Sequence, residues 1–364
     1  SIWLNACQEQ IRETFLMAEI PLLELYSPAA DQGTPILDAC CSLGVFQVPL
    51  PESLSRSNAE TFRLAREFLA LPEEQKQQFA VDLSEPSAPN GYHPAGGLGG
   101  QYNLHRSGFI FQGKVLWPLL SREGEEPSRN SFTQQLSHWR DEVWRFAELI
   151  LDRLVREMQV KGLASEEGCS PDSFAEGGPR DLFTYSQFHI KRTHPVSSAT
   201  DEQTPADSGT SVVRLPAHRD PSFLSLVVHD AEHPAGQGLE VLDDATQSYV
   251  AVHRSGCHVA TVLVGKVFQQ LCGESSSFRA ARAVHRVATR PEHMLLDRLA
   301  ATFFLQPSPH AVRSLSVHSD AVPMGDTTGP LLVKRGSGVN LGSKRRAPCK
   351  TRKRDAATNR PMLK

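Results

Sequence analysis

Two kinds of hydrophobic spacing divide the chain near Leu182. Before it, apolar residues recur at three- and four-residue intervals, the period of a helix with one buried face. Ile11, Phe15, Leu16 and Ala18 to Ile20 predict a first helix, and IPLLELYSP then reads as a short strand closed by proline. ILDACCSLGVFQVPLP predicts a helix stopped at Gly44 and a strand over Val45–Leu50, because glycine is a common helix terminator. From Asn58 to Phe79, the residues Phe62, Leu64, Ala65, Phe68 and Leu69 keep helical spacing up to Pro72, where LPEEQKQQF starts a further turn. Proline and glycine predict a loop over Pro86–Gly100. A longer stripe of Phe132, Leu136, Trp139, Val143, Phe146, Ile150 and Leu154 predicts a core-facing helix over about Ser131–Val160.

After Leu182 the period shortens to that of strands. The runs LFTYSQFHI, SVVRLPAH, SFLSLVVH, GLEVLD, SYVAV, HVATVLV, ARAVHRVAT and RLAATFFLQ are separated by turn residues, the pattern of an antiparallel sandwich, jelly roll or barrel. The fold class expected is therefore mainly β with N-terminal helices. THPVSSATDEQTPADSGT is a polar surface insertion by composition, and the chain beyond about His318 is too poor in large apolar residues to predict structure.

Composition adds limits. The 364 residues are 40% hydrophobic and 22% charged, enough to bury a substantial core. No stretch approaches the apolar run that spans a bilayer, so no membrane partner is expected. The first residues carry early polar and charged side chains and do not read as a signal peptide. The seven cysteines are odd in number and form no CxxC pair, which argues against a disulfide framework or a thiolate zinc site and for a reducing, intracellular setting, cytoplasmic in the first instance. The net charge of -3 conceals a divided chain: Lys334 to Lys364 holds eleven Lys or Arg against one acid, Asp355, leaving the body at about -13.

Chemistry is concentrated in LPAHRDPSFLSLVVH. His218 and Asp220 lie two apart in a β-like run, so an imidazole and a carboxylate project from one strand face. His285, in AVHRVAT, is the candidate third ligand from a neighbouring strand. Two His and one carboxylate on one side of a metal leave its other positions open, as in non-haem Fe(II) oxygenases. From spacing alone, the same residues suit a hydrogen-bonded β core equally well.

The order of further motifs is more specific. IPLLELYS, DACCSLGVFQV, FLALPEEQK, Gly91–Tyr92, HRDPSFLSLV, GLEVLDD, SYVAV, AVHRVAT and RLAATFFLQPS together resemble the isopenicillin N synthase-like group of 2-oxoglutarate and Fe(II)-dependent dioxygenases, from about Ile20 to Pro309. The resemblance implies a double-stranded β-helix jelly roll over 181–312, preceded by an N-terminal helical and strand region over 1–130 and a long helix with its connector over 131–180; composition predicts a disordered basic tail over 313–364. It implies Fe(II) held by His218, Asp220 and His285, with 2-oxoglutarate and O2 as co-substrates. The reaction implied is hydroxylation or desaturation of a small organic substrate, with release of succinate and CO2 and no side-chain acid or base.

The same resemblance assigns the far carboxylate of 2-oxoglutarate to Arg298, whose guanidinium fork matches a carboxylate in paired hydrogen bonds. It also implies a co-substrate contact near Tyr185. The family's serine two residues after the arginine is replaced by Ala300, which removes a donor worth on the order of 1 kcal/mol. Thr302, one pleat farther on the same face, is the candidate substitute. The interval from His285 to Arg298 is about three residues longer than the family's, room for a lengthened turn around RPEHM. Lys266 stands where the family often has aspartate, with no mechanistic account.

These departures keep two other readings open: an iron oxidase of the same fold that does not use 2-oxoglutarate, and a non-catalytic jelly-roll binding protein. His229 and His233 have helical metal-ligand spacing but flank a polar turn and lack a third partner. His189, His194, His253 and His258 read as surface or structural residues. Gly96–Gly100 lacks the context of a phosphate loop and reads as a flexible lid. SKRRAPCKTRKR reads as a solvated tail or a nuclear address rather than a nucleic-acid reader, since no aromatic platform accompanies it.

Overall fold

A computed structural model describes residues 33–81, 90–97, 100–113, 131–161, 185–195, 211–230, 238–252, 258–272 and 281–306. The first predicted helix, the IPLLELYSP strand, the polar insertion beyond Pro195 and the basic tail lie outside the described residues; Thr193, the first residue of that insertion, is a correction, since it is buried and ends a strand. Where the sequence carries a helical period, helices form: α1 (Pro35–Ser42), α2 (Glu52–Leu69), α3 (Glu73–Gln77) and α4 (Ser131–Val160), with a short α5 (Lys266–Cys272) farther on. Helix α2 starts behind Pro51, six residues before the stretch in which its apolar stripe is predicted. None of the described helices is long and apolar enough to cross a membrane.

The strands are β1 (Val45–Pro49), β2 (Gly91–His93), β3 (Arg106–Gln112), β4 (Gln187–Thr193), β5 (Val212–His218), β6 (Leu224–His229), β7 (Leu239–Asp243), β8 (Ser248–Ala251), β9 (Val259–Val264), β10 (His285–Thr289) and β11 (Arg298–Leu305). All eight predicted β runs become strands, β4 to β11. Two corrections apply upstream: β2 lies inside the stretch predicted as a Pro/Gly loop, and β3 is not predicted at all. Both are short or glycine-containing segments whose pairing partner is remote in sequence, and local periodicity does not report such pairing.

Among the described residues the strands form two antiparallel sheets, a large one ordered β1-β9-β6-β11-β4-β3-β2 and a small one ordered β5-β10-β7-β8. Successive strands from β4 onward alternate between the sheets, β7 and β8 excepted. That winding is the double-stranded β-helix. Strands β1, β2 and β3 extend the large sheet at its two edges, so the N-terminal region contributes strands as well as helices.

Side-chain alternation gives the large sheet two unlike faces. Phe188, Ile190, Leu226, Val228, Ala260, Val262, Leu299, Ala301 and Phe303 belong to one buried apolar cluster with α2 and α4. Phe188 and Phe303 stack at 4.4 Å, and Trp139 and Trp144 of α4 meet them edge-on, each at 5.9 Å. Burying each such ring contributes roughly 1.5–3 kcal/mol. An internal ion pair ties the helices together: Arg153 Nε donates to Glu157 Oε1 at 2.7 Å, both side chains fully buried, while Glu157 Oε2 accepts the Leu37 N–H in the first turn of α1 at 2.8 Å. The opposite face of the large sheet looks into the barrel and is polar along β4, where Gln187, His189, Lys191 and Thr193 alternate with the apolar residues.

Candidate metal centre

His218 and His285 face each other because β5 and β10 are neighbours in register, with their Cα positions paired. Asp220 lies just beyond the end of β5, a correction to its placement within the strand. The turn that carries it is clamped from below by the start of α5. Lys266 N donates to Asp220 O at 2.8 Å, Gly265 N to Phe223 O at 2.9 Å and Val267 N to Ser222 O at 3.1 Å. A Cβ on Gly265 would lie 1.8 Å from Ser222 O, so only glycine lets the two segments approach this closely. This also explains why the exposed side chain of Lys266 is unconstrained: that position acts through its backbone N–H.

His218 Nε2 lies 3.4 Å and His285 Nε2 3.7 Å from Asp220 Oδ1, and one ligand atom from each residue lies within 4.8 Å of the others. Neighbouring ligands of one divalent ion, each about 2.1 Å from it, sit about 3–3.5 Å apart, so the set fits a metal with a small contraction. The tautomers fit as well. His218 Nδ1 donates to Pro216 O at 2.8 Å and His285 Nδ1 to Ala283 O at 3.1 Å, which turns both Nε2 lone pairs toward Asp220. Burial alone would raise the Asp220 carboxyl. The charges of His285 and His218 and a hydrogen bond from Ser225 outweigh it and bring the group down to about 2. Burial lowers His285 and favours its neutral, ligating form. Ser222 Oγ and Ser225 Oγ, 2.7 Å apart, complete the polar support.

Arg298 opens β11, paired with Thr193 of β4, and its Nη2 lies 3.3 Å from His229 Nδ1. The lengthened interval before it is taken up by a 3-10 turn over Pro291–His293, and the Arg192 to Asp297 ion pair at 2.7 Å fastens the turn to β4. Ala300 is buried, between Lys191 and His229 in the sheet. Thr302 lies one pleat on, between His189 and Val227. Tyr185 precedes β4 at the opposite end from Thr193, roughly 25 Å along the strand, so it does not stand beside Arg298.

Several residues escape a reading of the sequence. His229 ends β6 against Arg298, and Asp230 beside it is held by Arg66 at 2.5 Å; His233 lies outside the described residues. His189, expected at the surface or in a structural role, is on the barrel face of β4. Tyr102, on a 3-10 turn over Gly100–Asn103, places its ring 5.6 Å from that of His218, and its carbonyl accepts Nε and Nη2 of Arg106 at 2.9 and 2.6 Å. The polar alternation of β4 is the signal that could have found the barrel face.

Residues 193–307, which include the triad and Arg298, match the family model of the 2OG-Fe(II) oxygenase superfamily. The segment is similar to 2OG-Fe(II) oxygenase domains. The matched family is one of oxidoreductases that use Fe(II), 2-oxoglutarate and O2, in keeping with the donor set. The fold is similar to that of a full-length Neurospora crassa protein crystallised in complex with alpha-KG and 5-formyluracil, at 15% identity and a TM-score of 0.61 over 80% of this chain and 85% of that one. It is also similar to the dioxygenase for auxin oxidation from rice, at 21% identity and 0.55 over 81% and 84%. A third similar structure is the 2-oxoglutarate complex of dioxygenase for auxin oxidation 1 from Arabidopsis thaliana, at 17% and 0.52 over 80% and 93%. No curated protein matches the sequence.

Proposed function

We propose that this protein is a non-haem Fe(II), 2-oxoglutarate-dependent dioxygenase of the isopenicillin N synthase-like group, hydroxylating or desaturating a small organic substrate. The observation that carries the reading is the convergence of His218 Nε2, His285 Nε2 and an Asp220 oxygen inside a matched oxygenase domain. His218, Asp220 and His285 would hold Fe(II), which with 2-oxoglutarate supplies the oxygen chemistry that yields succinate and CO2. The protein's own part is positional. Carbonyls Pro216 O and Ala283 O hold the imidazole tautomers, the α5 start fixes Asp220, and Arg298 orients the co-substrate through its far carboxylate, with Thr302 as a second contact. Neighbouring structures contain alpha-KG and, in one case, thymine, which supports a small-molecule substrate.

Ala300 favours one second reading, an iron oxidase that works without 2-oxoglutarate. Anaerobic titration of 2-oxoglutarate into the Fe(II)-loaded protein separates the two. A saturating visible charge-transfer band is expected. Iron binding without the band supports the oxidase, and failure to bind iron overturns both.

A further inference from the structure

The barrel face of the large sheet carries a second group of cations that the metal centre and Arg298 do not use. One row of paired residues crosses five strands: His93, Gly108, Lys191, Ala300 and His229. Lys191 is flanked by the two smallest residues of the row, and Gly108, with a φ of +154° at which a Cβ would lie 2.0 Å from Ile190 O, leaves no side chain on β3 between Lys191 and His93. The Lys191 ammonium reaches across Gly108 to His93 Nε2, away from Arg298. His93 Nδ1 is committed to Pro94 O at 3.2 Å, so its Nε2 accepts.

Lys191 and His93 are both more than nine-tenths buried, and among the described residues no carboxylate bonds to either. Thr193, buried and one pleat along β4, has a hydroxyl with no hydrogen-bond partner among the described residues. Arg106, paired with Thr193 on the side away from β11, acts electrostatically on Lys191, His93 and His189, and on Asp220 and His285. Burial lowers Lys191 well below the usual lysine range and Arg106 to about 10. A buried ammonium beside a guanidinium is costly without a counter-charge, and among the described residues the one acid acting on Arg106 is the metal ligand Asp220.

We propose that Lys191, Arg106 and Thr193 form an anion subsite for the oxidised substrate, and that the substrate is a small carboxylate held by its carboxyl group on the β3–β4 side of the barrel. The assignment rests on the dioxygenase reading above. Arg298 lies across β4 from this subsite, which leaves one basic position for each of two acids: 2-oxoglutarate against β11, the substrate against β3. Ammonium and guanidinium together match one carboxylate, and the threonine hydroxyl adds a donor.

The test uses anaerobic, full-length protein loaded with Fe(II) and 2-oxoglutarate. Monocarboxylates from acetate to phenylacetate, each beside its neutral amide, are titrated while calorimetry and the visible band are followed. The acids are expected to bind at least tenfold more tightly than the amides. Lys191→Met and Arg106→Gln should abolish that preference and change 2-oxoglutarate affinity less than threefold, whereas Arg298→Met should weaken 2-oxoglutarate and spare the acids. Acids and amides binding alike, or not at all, to a wild-type protein that shows the band overturns the subsite alone. Loss of the band in Lys191→Met assigns the lysine to 2-oxoglutarate and also overturns it. No band in the wild type overturns the dioxygenase reading and this one with it. A folding control is built in: removal of an unmatched buried cation should raise the melting temperature of apo Lys191→Met, and a lower value would show that the ammonium is satisfied within the protein.

Discussion

The two faces of the large sheet are built from the same strands and obey opposite rules. Toward α2 and α4, Phe188, Ile190, Ala301 and Phe303 pack with aromatic rings of the helices in one buried apolar cluster. Toward the barrel, residues one position away are His189, Lys191, Ala300 and Thr302, and their polar groups are sparsely paired. Stability is concentrated on one face and chemistry on the other. A β-strand makes this separation cheap, because a one-residue step reverses the direction of the side chain while the backbone ladder is unchanged.

The barrel is most sensitive where the small sheet contributes the metal ligands. Asp220→Asn removes the only anionic ligand of the triad while keeping its shape and its backbone bond to Lys266. Fe(II) affinity should fall on the order of a thousandfold, since loss of even an outer-shell partner costs about 10–100-fold. Anaerobic equilibrium dialysis reads this directly. Thermal stability of the apo protein should fall far less, and retained iron affinity would remove Asp220 from the site.

The converse change acts on the helix-facing side. Phe303→Ala deletes a ring stacked on Phe188 and met edge-on by Trp144, and should cost about 3 kcal/mol or more through lost transfer energy and the cavity left behind. Urea unfolding measures the loss. At a temperature where the variant remains folded, Fe(II) affinity should be unchanged, because the metal residues lie on the small sheet and in the turn after β5, not in the helix-facing layer. A large fall in metal affinity would show that the two faces are not independent.

How far this division is legible in the sequence differs between its halves. The helix-facing stripe of α4 and the eight β runs are legible because apolar periodicity is a local property, and the same holds for the spacing of His218 and Asp220. Strand β3 and the row from His93 to His229 are not, since they depend on pairings between residues remote from one another along the chain. The contact of Arg298 with His229 is hidden for the same reason. Tyr185 lies two residues before β4, and the register of β4 places Thr193 beside Arg298, a neighbour that the sequence does not indicate. Local sequence reports which residues alternate, and only the register reports which of them meet.

Acid should affect the polar face before the apolar one. His93 is held down to about 2 by burial first and by Lys191 next, His285 is lowered chiefly by burial, and Asp220 is lowered to about 2. In each case the folded state binds protons less readily than the unfolded chain, so stability is fully present above the unfolded histidine value near 6.5 and declines as pH falls toward 2. From His93 alone the loss at pH 5 is about 2 kcal/mol, at 1.36 kcal/mol per pH unit. Urea midpoints of the apo protein between pH 7.5 and 5 check the sign. A midpoint that rises on acidification would contradict the burial of these groups in neutral form.

The smallest effect is expected from a single added atom at Ala300. Ala300 is an apolar residue on the polar face, between Lys191 and His229 and two residues beyond Arg298. Ala300→Ser adds a hydroxyl facing the barrel. If 2-oxoglutarate lies along β11 with its far carboxylate on Arg298, the new donor gains a charged acceptor, and affinity should improve by about fivefold, the equivalent of about 1 kcal/mol. In the apo protein the same hydroxyl should be neutral or slightly destabilising, because a buried hydroxyl without a partner is costly. Opposite signs in the two states are the signature: tighter 2-oxoglutarate in the anaerobic titration, with no gain in melting temperature. A serine that leaves the co-substrate affinity unchanged would place the far carboxylate away from Ala300.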